Sequence, residues 1–295
     1  MQDSSPCGAR VRQALAGEVV EPPVVGLTFV VPDILTSVYQ GAGSIGAALA
    51  SMAVDNDLDF VFIPASAVWA LEAVAALSTA NTCMFWVVDG PLGTVIKRRG
   101  FEDAIKASLR EPEMLAQELE QAAAEKQSLV REGLQVGATA IVVADDLASP
   151  EGPFTAPDFM ISEVVPRLAA TVADAIGEVP VIAHSDGDIG AFLRPLAHAG
   201  FDGVHMGGMG QDVFSRLLMN ARRSSISVIG GIEGADLRRG LPQAVRAGVH
   251  VSLHAQIGGL LIADDGGIST SSELSAYMTA VQSVRSGAPR LGRDG

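Results

Sequence analysis

With 295 residues and 48% apolar side chains, the chain can fill a large core and is too apolar to be disordered. Its net charge of −14 argues against nucleic acid and against an anionic membrane surface, whose phosphates it would repel. Two cysteines exclude a disulfide framework, no basic-then-apolar leader opens the chain, and Glu72 or glycines interrupt every long apolar stretch. A reducing cytoplasm is the expected compartment.

Residues 1–10 read as a flexible tail that includes Cys7, and a short helix follows over Val11–Ala16. Pro22-Pro23 introduce a first strand, Val24–Val30, and a glycine-rich helical region covers residues 39–54. Leu58–Ile63 is the second strand, stopped by Pro64. The helix after it carries Val68, Leu71, Val74 and Leu77 at a spacing of three, the pattern of a buried stripe. Cys83–Val88 is the third strand and delivers Asp89-Gly90-Pro91 into its loop. Two helices follow, the second announced by Glu111-Pro112-Glu113 and running to Gly133.

Ala138–Ala144 is the fourth strand, tipped by Asp145-Asp146, and a long helix runs from Ala156-Pro157-Asp158 to Gly177. Val181-Ile182-Ala183 is a short apolar run, as expected of a strand buried on both faces, and it ends in His184, Ser185 and Asp186. Gly187 and Gly190 turn the chain into a helix bearing Phe192, Leu193 and Leu196, closed by Gly200. The sixth strand, Gly203–Met206, carries His205. A helix over Val213–Ala221 leads to the seventh strand, Ile226–Ile229, which ends in Gly230-Gly231-Ile232-Glu233. Leu237–Ala247 reads as a helix, Val249–His254 as the eighth strand, Gln256–Thr270 as a long loop and 271–285 as a last helix. Residues 288–295 read as a second flexible tail.

Eight strands alternating with helices predict a parallel sheet, and eight is the number that closes a (β/α)8 barrel. The expected architecture is therefore α/β: one barrel over residues 11–287 with a short N-terminal helical extension. In such a barrel the C-terminal ends of the strands face one site. That places Asp89, Asp145, Asp146, His184, Ser185, Asp186, His205, Glu233 and His254 around a common mouth. Histidines and carboxylates on adjacent strands form a candidate metal or acid–base constellation. His184-x-Asp186 can offer an imidazole and a carboxylate to one ion, and zinc accepts both. The competing expectation for Asp145-Asp146 and for Glu233 is a helix cap.

Several segments together resemble the uroporphyrinogen decarboxylase superfamily, which also contains cobalamin-dependent methyltransferases. They are Arg10–Glu18, Asp89-Gly90-Pro91, Ala144–Ser149 with Gly152–Phe159, His184–Gly187 with Ala199–His205, and Gly266-Gly267-Ile268. The resemblance implies the same barrel. The decarboxylases hold a substrate with many carboxylates on arginines after the first strand; here that region is Thr28–Ile34, and no Lys or Arg occurs between Arg12 and Lys97. Their catalytic aspartate would fall near Pro64-Ala65 and their late histidine near Gly266, so neither group is present. Burying several uncompensated carboxylates would cost roughly several kcal/mol each, which argues against classical decarboxylation.

The superfamily's methyltransferases hold zinc through His-x-Cys and a later cysteine. This chain has His184-Ser185-Asp186 at the first place and Asp264-Asp265 near the second. Carboxylates leave a more Lewis-acidic metal, suited to polarising a methoxy or amine donor. The resemblance thus implies a metal-assisted methyltransferase that moves a methyl group between a small molecule and a corrinoid. The corrinoid would be carried by a partner protein, since no Asp-x-His-x-x-Gly segment exists in the chain. The implied zinc ligands are His184, Asp186, Glu233 and Asp265. Asp145, Asp146 and His205 would be catalytic, and Asp89, Ser185 and His254 would contact the substrate. The alternatives are a metal-independent lyase using His184 and Asp145, or a non-catalytic corrinoid- or tetrapyrrole-binding member. A homodimer is left open.

Overall fold

The computed structural model describes residues 6–208 and 210–286. Eight parallel strands form one sheet in the order of the chain. They are β1 (Gly26–Leu27), β2 (Phe60–Pro64), β3 (Cys83–Asp89), β4 (Ala140–Ala144), β5 (Val181–Asp186), β6 (Gly203–Gly207), β7 (Ser227–Ile232) and β8 (Leu260–Asp264). The sheet closes where Val25 bridges Ile262, with the Ile262 N–H donated to the Val24 carbonyl at 2.8 Å. A carboxylate latches the seam above: Asp264 accepts the Thr28 N–H at 2.8 Å and the Thr28 hydroxyl at 2.6 Å.

Alternation along the strands sorts the core into two layers, as the two-residue period of a strand requires. Phe60, Phe62, Phe85, Val142, Ile182, Ile229 and Leu261 point into the barrel, whereas Val61, Trp86, Ile141, Val204 and Val228 pack outward beneath the helices. The bottom is plugged by the helix Pro6–Leu15, whose buried face of Cys7, Val11, Ala14 and Leu15 joins the inner layer. That helix includes residues expected to be tail, and Cys7 is buried rather than solvated because its spacing to Val11 puts it on the apolar face. The expected tail at 288–295 lies outside the described residues.

The eighth strand is not where the sequence reading put it. Val249–His254 belongs to the helix Leu241–Ala255, and β8 lies in the stretch expected to be loop. Alternating Val249, Val251 and Leu253 imitates a strand, but Ala244, Ala247, Gly248, Val251, Ser252 and Ala255 make a continuous buried stripe at helical spacing. Of the region 39–54, only the part from Ile45 on is helical, in a helix that runs to Asp55, and a separate helix, Pro32–Val38, precedes the region. Three helices rather than two follow β3: Pro91–Arg99, Phe101–Arg110 and Pro112–Gln135. The helix Ala70–Leu77 buries Ala70, Ala73 and Leu77, so Val68 and Leu71 face solvent instead of forming the expected stripe. The long helix after β4 stops at Thr171, after a π-helical turn at Met160–Val164. Among the described residues no helix is long and apolar enough to cross a membrane.

Candidate metal centre

β4 and β5 pair in register, with Ala144 beside His184, and β5 pairs with β6 so that His184 stands beside His205. The chain leaves β4 through Asp145-Asp146 and leaves β5 through Asp186. One ligand atom from each of Asp146, His184 and Asp186 therefore lies within 4.8 Å of the others. The Asp186 N–H is donated to the Asp146 carboxylate at 3.0 Å, which ties the two strand tips together. Asp186 titrates above its ordinary value because burial disfavours its charge and Asp146 repels it. A divalent cation would relieve both effects.

Behind His184 sits His205, fully buried, with the two rings stacked at 4.8 Å and their Nδ1 atoms 2.6 Å apart. His205 Nε2 lies 3.0 Å from the Asp264 carbonyl, which can only accept, so this nitrogen carries hydrogen. Burial lowers the pKa of both imidazoles, and each is neutral near pH 7. A neutral His205 must then accept at Nδ1, and His184 donates from its own Nδ1. His184 is left with a lone pair on Nε2, the form a metal ligand needs, fixed from behind by a second imidazole and a backbone carbonyl. Phe29 and Phe62 close the apolar side of this pair, with centroids 5.1 Å from His184 and 5.6 Å from His205 respectively.

A pocket of about 390 Å³ opens on this cluster. Asp145, Asp146 and His184 form its polar wall; Ile96, Phe101 and Phe154 form the apolar one, with Phe101 and Phe154 edge to face at 5.0 Å. Asp89 and Lys97 stand at its rim as an ion pair at 3.0 Å, and Lys126 approaches Asp89 at 3.8 Å. Lys97 is the one cation among the described lining residues.

The remaining expected site residues have other places. Asp145 accepts the Leu92 N–H at 2.8 Å and the Gly93 N–H at 2.5 Å, capping the helix Pro91–Arg99. Burial raises its pKa to about 7 in spite of those bonds. Gly90 is required there, because a Cβ would collide with the Asp145 carboxylate. The Ser185 hydroxyl is buried, accepts the Leu147 N–H at 2.9 Å and donates to the Asp186 carbonyl, so it braces the loop after β4.

Asp265 accepts the Gly234 N–H at 3.1 Å and is pushed up to about 8, chiefly by burial and then by Glu233 and Asp264. Glu233 occupies the cap position of the helix Gly234–Arg238. Neither Asp265 nor Glu233 joins the Asp146–His184–Asp186 group. His254 lies on the outer helix and faces Ser215 and His250, away from the mouth. The sequence reading missed the Asp264 latch, the Phe29–Phe62 backing and the Phe101–Phe154 wall. Of these, only Asp264 stood among marked polar residues.

The profile of the family described as uroporphyrinogen decarboxylase (URO-D) matches residues 68–286. The chain belongs to the uroporphyrinogen decarboxylase family. Among solved structures, this family member is similar to a methyltransferase from Methanosarcina mazei, with TM-score 0.74, 17% identity, and 95% and 98% of the two chains covered. A putative vitamin-B12 independent methionine synthase from Listeria monocytogenes gives TM-score 0.57 at 11% identity over 92% and 96% of the chains. These likenesses carry the fold. No curated protein matches the sequence.

Proposed function

We propose that this family member is a metal-assisted methyltransferase that moves a methyl group between a small molecule and a corrinoid carried by a partner protein. The observation that carries the reading is the Asp146–His184–Asp186 group at the mouth, with His184 held from behind in the tautomer that exposes Nε2. One imidazole nitrogen and two carboxylate oxygens fit zinc, and three protein ligands leave a position open to substrate, as catalytic zinc requires. When bound, such an ion supplies Lewis acidity toward a methoxy or amine donor.

The chain's own residues do the rest. His205 fixes the His184 ring, Phe29 and Phe62 exclude water behind it, and the Phe101–Phe154 wall receives an apolar part of the donor. Gly207 leaves room for the Asp186 carboxylate, because a Cβ there would collide with Asp186 Oδ1 and stand 2.7 Å from the Asp265 carbonyl. The mouth disfavours a porphyrinogen: among the described residues its lining offers one lysine, already paired with Asp89, to a substrate bearing many carboxylates. A pocket of about 390 Å³ also suits a small molecule better than a tetrapyrrole.

A second reading rests on Asp145, whose carboxyl lines the pocket and titrates near pH 7. A buried acid with that value beside a neutral histidine suits a metal-independent lyase. Its two backbone hydrogen bonds favour a structural duty instead. The discriminating assay supplies the chain with zinc, free reduced cobalamin and a panel of methoxy and methylamine donors, and follows methylcobalamin by absorbance. Zinc-dependent methyl transfer is the expected result. Release of carbon dioxide from an acid substrate, unchanged by a chelator, would establish the lyase instead.

A further inference from the structure

The helix Leu241–Ala255 buries its stripe of small residues against the barrel and the helix Ser271–Arg285, and beside that stripe it carries His250 and His254 one turn apart. His250 is exposed; His254 is half-buried against the helix Gln211–Arg223, with Phe214 edge-on at 6.3 Å. The two rings stand nearly perpendicular, at 84°, and their Nε2 atoms are 3.2 Å apart. The Ser215 hydroxyl lies 3.5 Å from His254 Nε2. We propose that His250 and His254 form a second metal site, independent of the barrel mouth, for a late divalent transition ion such as Cu²⁺, Ni²⁺ or Zn²⁺.

The spacing is what a chelate needs. Bonds of about 2.0–2.1 Å place two nitrogens roughly 2.9–3.4 Å apart at angles between square and tetrahedral, and the observed separation lies inside that range. Residues four apart on a helix share one face, so the backbone holds both rings with little further ordering. A shared proton between the nitrogens accounts for the same distance, and a cation takes that proton's place.

The donor set selects the ion. Two imidazoles and a hydroxyl, without a carboxylate, favour the nitrogen-seeking ions over Mg²⁺ or Ca²⁺ and place Cu²⁺ first. Arg222, whose charge is felt at His254, is turned onto the His254 and Gly258 carbonyls, which keeps its guanidinium occupied. Because Ser215 stands on the neighbouring helix, an ion held here would pin two outer helices together.

The test uses Cu²⁺ and the full chain carrying Asp146→Asn and Asp186→Asn, so that the mouth loses its carboxylates. The expected result is one Cu²⁺ per chain, with an electron paramagnetic resonance spectrum split by two imidazole nitrogens. His250→Ala and His254→Gln should each lose that two-nitrogen spectrum while circular dichroism stays unchanged, and His198→Gln should retain it. A two-nitrogen spectrum that survives His250→Ala overturns the proposal. So does the folded chain failing to hold Cu²⁺ with both histidines present.

Discussion

Replacing His205 by phenylalanine tests the support of the candidate metal ligand without touching the ligand itself. A phenyl ring suits the site, since Phe62 already packs at 5.6 Å and Phe29 at 6.2 Å from the imidazole. It cannot accept the His184 Nδ1–H, however, so His184 is freed to flip or to move its proton to Nε2. Removing such an outer partner typically costs about 10–100-fold in metal affinity, or about 1.4–2.7 kcal/mol. Without metal the variant should also be less stable by about 1–3 kcal/mol, because a buried donor has lost its acceptor. Competition with a chromophoric zinc chelator reads the first effect and urea unfolding the second. Zinc affinity within about twofold of the parent, in a folded variant, would refute the idea that His205 holds His184 for metal.

Other consequences follow from neighbouring contacts. Asp264→Ala strands two backbone N–H groups, those of Thr28 and Gly267, at the seam that closes the barrel; a loss on the order of 3 kcal/mol in urea unfolding is expected, and less than about 1 kcal/mol would contradict the latch. Gly207→Ala should displace the Asp186 carboxylate, abolishing tight zinc binding and costing about 1–3 kcal/mol of stability from the contact with the Asp265 carbonyl. Calorimetric titration with zinc checks it, and undiminished affinity would show that Asp186 is not a ligand.

Glu273 gives a pH signature remote from the site. Burial would raise its pKa, but the Ser269 N–H, Arg238 and the Ser269 and Thr270 hydroxyls outweigh burial and hold it below the ordinary value. A depressed pKa stabilises the fold above the ordinary carboxylate range and is lost as pH falls through the lower value. Glu273→Gln should therefore be less stable than the parent near pH 7, the gap closing on acidification below about pH 4; a gap that does not change with pH counts against it.

Seven strands were legible because their apolar runs are short and end at or near proline, glycine or acids, as at Phe60–Pro64, Cys83–Asp89 and Val181–Asp186. The eighth was not, because Val249–His254 alternates like a strand while the residues that make it helical are alanines, glycine and serine, which carry little hydropathic contrast. The candidate metal group was legible only in part: His184 and Asp186 were expected as ligands, but with Glu233 and Asp265, whereas Asp146 was expected to be catalytic. In a parallel barrel the tips of adjacent strands must be neighbours, and that geometry brings Asp146 to His184 and Asp186 instead. The misplaced strand carried His254 to the mouth on paper and kept it on the outer layer in the fold. The tautomer of His184 could not be read from sequence, because it depends on a carbonyl of β8 reaching a side chain of β6. Nor could the pocket's aromatic wall, built from Phe101 at a helix start and Phe154 in a loop.

Whether the mouth of this barrel holds a catalytic metal is decided by zinc titration of the chain beside Asp146→Asn, His184→Ala and Asp186→Asn, in a His250→Ala background that removes the outer pair. One tight zinc per chain, lost in each of the three variants while circular dichroism is unchanged, is the predicted result. No tight zinc in the His250→Ala chain, or a tight ion that all three substitutions leave in place, would contradict it.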